Sequence, residues 1–387
     1  MNRLKKLAWG ELFMLGKQGK VRYVFTSSNT AGGYCSFMPE LLAGLQKIFI
    51  LKGPAGTGKS SFLRLLGQSM AEQGYEVEVW LSALNPLNPE GIYLPQVEAA
   101  VVNGSLPITI DPGYPAGRAE IINLEDYRDR NAAAEKSREI LELVQRVEKH
   151  HSKAYNILKS VIQTREELRQ LTARQLDNSK FNQIFQELEA RLAEEEVRER
   201  HYFANAVTAD GIISYMEELS TPCRKRYIFK GPEGCGKSTM IAELARKAAE
   251  KGQFLEYYHS GLEPERLLMV IITSSQTALI DIGEMEIKLK PCDLLVDLGK
   301  CLNDYDCRLL GMKNSQVYRN HEAMLLQVQD ELENAGLAVK KIKKINASFM
   351  VYDSVDKKRM EIEQELGSEP PSVFYSGIER GLYYAGV

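Results

Sequence analysis

The sequence contains a long internal repeat, which is the feature that most restricts its fold. Residues 47–61 read KIFILKGPAGTGKSS, and residues 225–239, 178 positions later, read KRYIFKGPEGCGKST. The same spacing aligns further identical pairs on both sides: Phe25 with Phe203, Thr30 with Thr208, Gly33 with Gly211, Gly74 with Gly252, Glu78 with Glu256, Ser82 with Ser260 and Pro86 with Pro264. A constant spacing over such a length indicates a duplicated domain rather than two chance matches.

Both copies show the same order of predicted elements. In each, a short β-like run enters a glycine-rich turn, a helix follows, and three further apolar runs come after it. In chain order the paired segments are 48–51 and 227–229, 60–73 and 238–251, 75–81 and 253–259, 99–103 and 277–281, and 120–124 and 294–298. Strands that alternate with helices are typical of βα units. The sequence therefore predicts an α/β fold with two tandem domains, each a parallel sheet between two helical layers.

The segment between the copies has a different composition. Residues 131–200 contain no glycine or proline. Apolar residues recur there at steps of three and four, as on one face of a helix: Ile140, Val144, Val147, His151, Ala154, Leu158 and Val161, then Phe181, Phe185, Leu188 and Leu192. Asp177, Asn178 and Ser179 offer a turn and an N-cap between the two stripes. This pattern predicts an antiparallel helical hairpin packed on itself, with a partner-binding arm as the alternative.

The predicted domain boundaries follow from these segments. The first repeated domain covers 1–130, the hairpin 131–200, the second repeated domain 201–310, and C-terminal helices with a docked tail 311–387. Residues 315–345 read as one long helix with lysines near its end. We interpret those lysines as cations at a helix C-terminus rather than as a phosphate-binding patch.

Composition narrows the environment and the partners. The 387 residues carry a formal net charge of −3, which argues against a nucleic-acid coat protein. No apolar run reaches the length of a membrane helix. None of the six cysteines has a partner at C-x-x-C spacing, so we expect reduced thiols in the cytoplasm.

The glycine-rich turns carry the chemistry. Gly53–Ser60 and Gly231–Ser238 both fit G-x-x-x-x-G-K-[ST], the Walker A or P-loop pattern. Glycines let backbone N–H groups approach phosphate oxygens, and the N-terminus of the following helix favours negative charge. We expect each loop to bind the phosphates of ATP or another nucleoside triphosphate, with Lys59 and Lys237 reaching the terminal phosphates.

The predicted site residues follow from this pattern. The nucleotide-binding residues are Gly53, Pro54, Ala55, Gly56, Thr57, Gly58, Lys59, Ser60 and Ser61 in the first copy, and Gly231, Pro232, Glu233, Gly234, Cys235, Gly236, Lys237, Ser238 and Thr239 in the second. The predicted ligands of Mg²⁺ are Ser60, Ser238 and Asp281, and the predicted catalytic residues are Lys237, Asp281 and Lys59.

The two sites are predicted to be unequal. Asp281 ends an apolar run in the second copy, where an acidic residue would hold Mg²⁺ through water. The matching residue of the first copy is the neutral Asn103. We therefore expect the second site to hydrolyse nucleotide and the first to bind it with slower turnover. A strand-end residue that starts a turn is the alternative interpretation of Asp281.

Additional residues are weaker candidates. No glutamate directly follows Asp281 or Asn103, although Glu284 lies three residues on, so a ring-forming remodelling ATPase is disfavoured. His259 could lie near the terminal phosphate or simply cap a strand end. Arginines that follow the first copy's third strand could supply an arginine finger, or could be ordinary surface residues. These arginines are Arg118, Arg128 and Arg130.

Over essentially its whole length, the chain resembles an uncharacterised bacterial family of tandem P-loop proteins described as ATPases or nucleotide kinases. The resemblance is carried by residues 29–33, the loop GPAGTGKSS, residues 103–127, residues 201–211, the loop GPEGCGKST and the run YYHS at 257–260. It implies duplicated P-loop domains with a helical insert. The chain departs from the family where Asn103 replaces an aspartate, where Pro107-Ile108 replaces Pro-His, and where residues 81–84 replace a Cys-Ser-Ser-Asp-like segment. These departures imply slower turnover at the first site.

Three functions are compatible with the sequence. The first is a Mg²⁺-dependent ATPase whose nucleotide drives a conformational change. The second is a small-molecule, nucleoside or nucleotide kinase, and the third is a nucleotide-sensing scaffold with a protein partner on residues 131–200. ATP is favoured over GTP because the sequence has no N/T-K-x-D motif near either loop.

Overall fold

The structure is a computed structural model that describes residues 19–105, 107–111, 118–129, 134–190, 198–283, 287–291, 293–302 and 316–368. In these ranges the chain forms sixteen strands and eight α-helices. The strands of the first copy are β1 Val21–Phe25, β2 Ser27–Thr30, β3 Gly33–Ser36, β4 Lys47–Lys52, β5 Val77–Ser82, β6 Asn85–Leu94, β7 Ala99–Asn103 and β8 Ala119–Asn123. Those of the second are β9 Arg198–Phe203, β10 Asn205–Thr208, β11 Gly211–Ser214, β12 Lys225–Lys230, β13 Phe254–His259, β14 Leu267–Ile272, β15 Thr277–Asp281 and β16 Asp293–Asp297.

The helices also occur as matched sets. They are α1 Met38–Leu42, α2 Lys59–Glu72, α3 Ser137–Ala173, α4 Asn178–Glu189, α5 Met216–Ser220, α6 Lys237–Glu250, α7 Gln316–Ala347 and α8 Tyr352–Leu366. In the part of the chain that the structure describes, no helix is long and apolar enough to cross a membrane.

Each copy builds six neighbouring strands in the same order. In the first copy the order is β1-β5-β6-β7-β4-β8, and in the second β9-β13-β14-β15-β12-β16. Five of the six strands run parallel, whereas β6 and β14 are antiparallel to both neighbours. The predicted α/β class is confirmed, and the sheet is mostly parallel. Sequence analysis missed the antiparallel strand of each copy. In the second copy, the apolar run of β14 is joined to β15 by a short turn in which Gln276 has a positive φ of 50°.

The helix that follows each glycine loop packs on its own strands. Along α6 the buried residues Met240, Ile241, Leu244, Ala245 and Ala248 recur at three- and four-residue steps and join the core of the second copy's strands. Residues Phe62, Leu63, Leu66 and Met70 do the same along α2. This periodicity places one apolar stripe of each helix against the sheet, which fixes the position of the loop before it.

The helical segments after the two copies are themselves a repeat, with a spacing of 174 residues. Leu176 forms a β-bridge with Leu302, just as Met350 does with Arg128. The amide of Asp177 donates to the carbonyl of Cys301, as that of Val351 does to Tyr127. This repeat escaped sequence analysis because the matched contacts are made by the backbone, and the residues that make them, such as Leu302 and Arg128, are not identical.

The predicted self-packed hairpin is wrong. Phe181, Phe185 and Leu188 of α4 join the core built by α6 and the second copy's strands, instead of packing on α3. In α3, Ile140, Val144 and Val147 pack with α7. The apolar stripes were recognised correctly, but periodicity alone does not say which surface they cover. Asp177 does cap α4, since its carboxylate accepts from the amides of Ser179 and Lys180. Leu192 lies outside the described residues.

Residue contacts divide the chain into two units. One contains the described residues of Met1–Ser27, Ser36–Lys153 and Asp330–Ser376, and the other those of Ser28–Cys35 and Ala154–Gln329. The division passes through α3 and α7, and the predicted domain boundaries stay a prediction. One unit therefore contains β1 and β4–β8 with α8 and the end of α7, and the other contains the strands of the second copy, most of β2 and β3, α4 and the end of α3.

Candidate functional site

The first glycine loop, residues 53–58, joins β4 to α2. Gly53, Gly56 and Gly58 have φ values of 132°, 103° and 95°, a region that side-chain-bearing residues rarely adopt. The buried Lys59, 8% exposed, begins α2 and turns back over the loop. Its ammonium donates to the carbonyl of Gly53 at 2.5 Å and to that of Pro54 at 2.8 Å.

The second glycine loop, residues 231–236, has the same geometry between β12 and α6. Gly231, Gly234 and Gly236 have φ values of 145°, 86° and 91°. Lys237 is 3% exposed, and its ammonium donates to the carbonyls of Gly231 at 2.8 Å and Pro232 at 2.9 Å. In both copies a buried cation thus lies over the loop at the N-terminus of a helix, which favours anions.

The residues predicted to distinguish the two sites lie at matching places. Asn103 of β7 pairs in register with Leu51 at the end of β4, and Asp281 of β15 pairs with Phe229 at the end of β12. Asp281 is fully buried, and its Oδ1 lies 3.9 Å from the Lys237 ammonium. The side chain of Asn103 instead accepts from the amide of Ser105 at 3.2 Å. Only the second loop therefore has a carboxylate at this position.

Arg266 joins the groups that were predicted to hold Mg²⁺ at the second loop. Its Nε donates to Ser238 Oγ at 2.8 Å, and its Nη2 donates to Asp281 Oδ2 at 3.0 Å. Its Nη1 also donates to Glu233 of the glycine loop. One guanidinium, 14% exposed, thus bridges the helix, the neighbouring strand end and the loop.

Glu233 connects this cluster to α3. Arg169 Nε donates to Glu233 Oε1 at 2.9 Å, and Arg169 also pairs with Glu263. A second residue of α3, Arg165, lies 3.5 Å from the same Glu233 oxygen. Burial raises the pKa of Glu233, but the charges of Arg266, Arg165 and Lys237 outweigh it and hold that pKa well below its usual value. Glu233 is therefore ionised throughout the physiological range.

Helical residues pack directly on the second loop. A Cβ built on Gly234 would lie 2.5 Å from the carbonyl oxygen of Arg169, and one built on Gly236 would lie 2.6 Å from the ring of Phe181. Since real Cβ contacts are longer, both positions require glycine for packing as well as for backbone conformation.

Matching helical residues pack on the first loop. A Cβ on Gly56 would lie 2.6 Å from the carbonyl oxygen of Lys343 in α7. Asn346 Nδ2 donates to the carbonyl of Ala55 at 2.7 Å, and the hydroxyl of Tyr352 donates to that of Gly56 at 2.9 Å. The predicted role of Lys343 as a helix-end cation is thus incomplete, because this residue also lies against a glycine loop.

Two cations, Lys59 and Lys343, lie near each other at the first loop. Burial and the nearby charge of Lys343 lower the pKa of Lys59 to about 8, although Glu125 acts in the opposite direction. Burial also lowers the pKa of Lys343. A bound anion would relieve the repulsion between these two cations.

The remaining candidates lie away from the loops or outside the described residues. His259 lies on β13, which two strands separate from β12; its ring contacts the carbonyl of Pro264 and the ring of His201. The backbone of Arg118 pairs with Ile48 at the start of β4, the end opposite the glycine loop. Arg128 pairs with Glu125 at 3.4 Å. Arg130 and Glu284 lie outside the described part of the chain.

The role of Arg266 was missed, although a comparison of the copies contains its signal. At aligned positions the second copy has Glu233, Glu263, Arg266 and Asp281 where the first copy has Ala55, Asn85, Asn88 and Asn103. Four charges gained together in one copy of a repeat indicate that they interact.

The chain was compared with protein-family models, with curated proteins and with solved structures, and none of the three comparisons found a match.

Proposed function

We propose that this protein is a tandem P-loop protein that binds a nucleoside triphosphate, ATP by default, at both glycine loops. One observation carries the proposal: in each copy a buried lysine at the start of a helix donates to the first two carbonyls of a loop with three glycines at positive φ. Such a loop presents its amides and its ammonium group to phosphate oxygens.

The proposed binding step uses residues of the chain itself. The triphosphate enters the loop, the ammonium groups of Lys59 and Lys237 exchange carbonyl partners for phosphate oxygens, and the loop amides bind the remaining oxygens. Because these cations are buried, their attraction to phosphate is screened less than at the surface. The helices packed on the loops then adjust, which gives the nucleotide a means of changing the protein's conformation.

The residues beside both loops bear on whether Mg²⁺ accompanies the triphosphate. When bound, it would neutralise charge on the phosphates next to Ser60 or Ser238. At the first loop the neutral Asn103 stands where a carboxylate is needed, and at the second loop Arg266 already holds both Ser238 and Asp281. The residues as arranged therefore do not fit Mg²⁺.

A nucleotide sensor without rapid turnover is the second candidate. The engagement of Asp281 by Arg266 favours it, because a carboxylate already paired with an arginine is less available to hold a metal ion or to activate a water. The contacts between the helices and both loops also suit a protein that reports bound nucleotide.

Phosphate release from ATP distinguishes these functions. Release of inorganic phosphate without an acceptor supports an ATPase. Loss of ATP only when an acceptor from a panel of hydroxyl compounds is present, with the phosphoryl group transferred to that acceptor, supports a kinase. Binding of ATP without either reaction supports a sensor. Within the ATPase proposal, Lys237→Ala should abolish release whereas Lys59→Ala should mainly change affinity. Lys247→Ala, at the other end of α6, is the control. Equal losses from the Lys59 and Lys237 variants would contradict the proposed inequality.

A further inference from the structure

We infer that the guanidinium of Arg266 takes the place of the divalent cation at the second glycine loop, so that this site binds its triphosphate without a metal ion. The inference rests on the proposed function. Its basis is that Arg266 contacts the hydroxyl and the carboxylate that a P-loop protein would direct at Mg²⁺, namely those of Ser238 and Asp281.

The shape of the guanidinium suits this role. It has five N–H donors in a fixed plane. One donates to Ser238, one to Asp281 and one to Glu233. Within the described residues the other two N–H groups have no hydrogen-bond partner, and two N–H donors on one guanidinium can bind phosphate oxygens in the bidentate manner typical of arginine.

The surroundings hold Arg266 in position. Its side chain is 14% exposed, and Glu233 and Asp281, which flank it, are themselves 16% and 0% exposed. Displacing it would leave the buried Asp281 carboxylate without the arginine that pairs with its Oδ2, which is unfavourable, whereas Glu233 would keep Arg169. A triphosphate that meets Arg266 where it lies avoids this cost, whereas a metal ion would have to drive the arginine out first.

The charges around the loop are consistent with a polyanionic ligand. Lys237, Arg266, Arg169 and Arg165 supply four positive charges, which balance the four carboxylates of Glu233, Glu263, Asp281 and Glu166. The positive end of α6 at the loop then favours an anion before any metal ion is added. A nucleoside triphosphate free of metal, or inorganic triphosphate, is the class of ligand that such a site takes.

The first test compares binding with and without metal. In full-length protein carrying Lys59→Ala, which silences the first loop, the dissociation constant for a fluorescent ATP analogue is measured in Mg²⁺ and in EDTA. We expect the two dissociation constants to agree within about threefold, which is less than the tenfold change that corresponds to about 1.4 kcal/mol of binding free energy. An increase of tenfold or more in EDTA would overturn the inference. Absence of binding in both buffers, and in wild type, would instead contradict the proposed function.

The second test changes the arginine. Arg266→Met keeps the length of the side chain but removes the charge. Binding of the ATP analogue in EDTA should therefore weaken at least about tenfold, which is the effect of losing a charged hydrogen-bond partner. Adding Mg²⁺ should restore the binding. Unchanged binding in EDTA would contradict the inference. Arg266→Lys, which keeps the charge without the planar donors, serves if the methionine variant does not fold, and should bind in EDTA more weakly than wild type. Inorganic triphosphate as competitor distinguishes recognition of the phosphates from recognition of the base.

Discussion

The contact between Phe181 and the second glycine loop leads to a quantitative prediction. Gly236 has a φ of 91°, and a Cβ placed there would lie 2.6, 3.3 and 3.4 Å from three atoms of the Phe181 ring. Gly74 is a matched control, because it has a φ of 93° and a Cβ placed on it would have nothing within 4 Å. Both Gly→Ala variants carry the cost of a left-handed alanine, about 1–2 kcal/mol. Only Gly236→Ala should also carry an overpacking cost, about 1–3 kcal/mol.

Removing the ring should remove this difference. In a Phe181→Ala background, the added methyl at Gly236 has room, so Gly236→Ala should cost no more than Gly74→Ala. The double-mutant cycle should therefore give a coupling of about 1–3 kcal/mol between positions 181 and 236. The free energy of unfolding is measured by urea titration followed by far-ultraviolet circular dichroism. Equal costs for the two glycine variants in both backgrounds would refute the packing of α4 on the loop.

Three further predictions concern other positions. Burial and the charge of His201 lower the pKa of His259 to about 4. As the pH falls from 6.5 to 4 the unfolded chain therefore takes up the proton first, and the free energy of unfolding should decrease by up to about 3 kcal/mol. His259→Gln should flatten this slope in pH-dependent urea titrations, and an unchanged slope would contradict the low pKa of His259. Asn346→Ala should lower the free energy of unfolding by about 1–3 kcal/mol because a loop carbonyl loses its donor; the control Asn334→Ala, exposed on the same helix, should change it little, and equal effects would argue against the contact. Arg226→Met should lower the free energy of unfolding by about 3–5 kcal/mol, because it removes the ion-pair partner of the buried Asp293 carboxylate. A thermal midpoint equal to that of the wild-type protein would be inconsistent with that ion pair.

Much of the fold could be predicted because local signals and the repeat agree. A buried strand, three positions that require glycine and a lysine at the start of a helix occur twice in register. The N-cap at Asp177 is also a local signal, since its partners are two and three residues away. Cys35, Cys223, Cys235 and Cys301 are free cysteines, and Cys292 and Cys307 lie outside the described residues, so the expectation of reduced thiols in the cytoplasm stays a prediction.

Other features depend on contacts between distant residues. The stripe of Phe181 and Leu188 is visible in the sequence, but its partner is an apolar face some sixty residues away on α6. The role of Lys343 depends on its approach to Gly56, nearly three hundred residues earlier in the chain. Arg266 lies 28 residues from Ser238 and 15 from Asp281. No periodicity or motif links such positions, and only the charge differences between the two copies indicate the last of these contacts.

The number of nucleotides bound per chain tests the central claim most directly. Isothermal titration calorimetry with ATP, in the presence and absence of Mg²⁺, should give two sites for the wild-type protein, one for Lys59→Ala, one for Lys237→Ala and none for the double variant. The Lys247→Ala control should keep two. A wild-type protein that binds no nucleotide, or a double variant that still binds two, would contradict the claim that the two glycine loops are the phosphate sites.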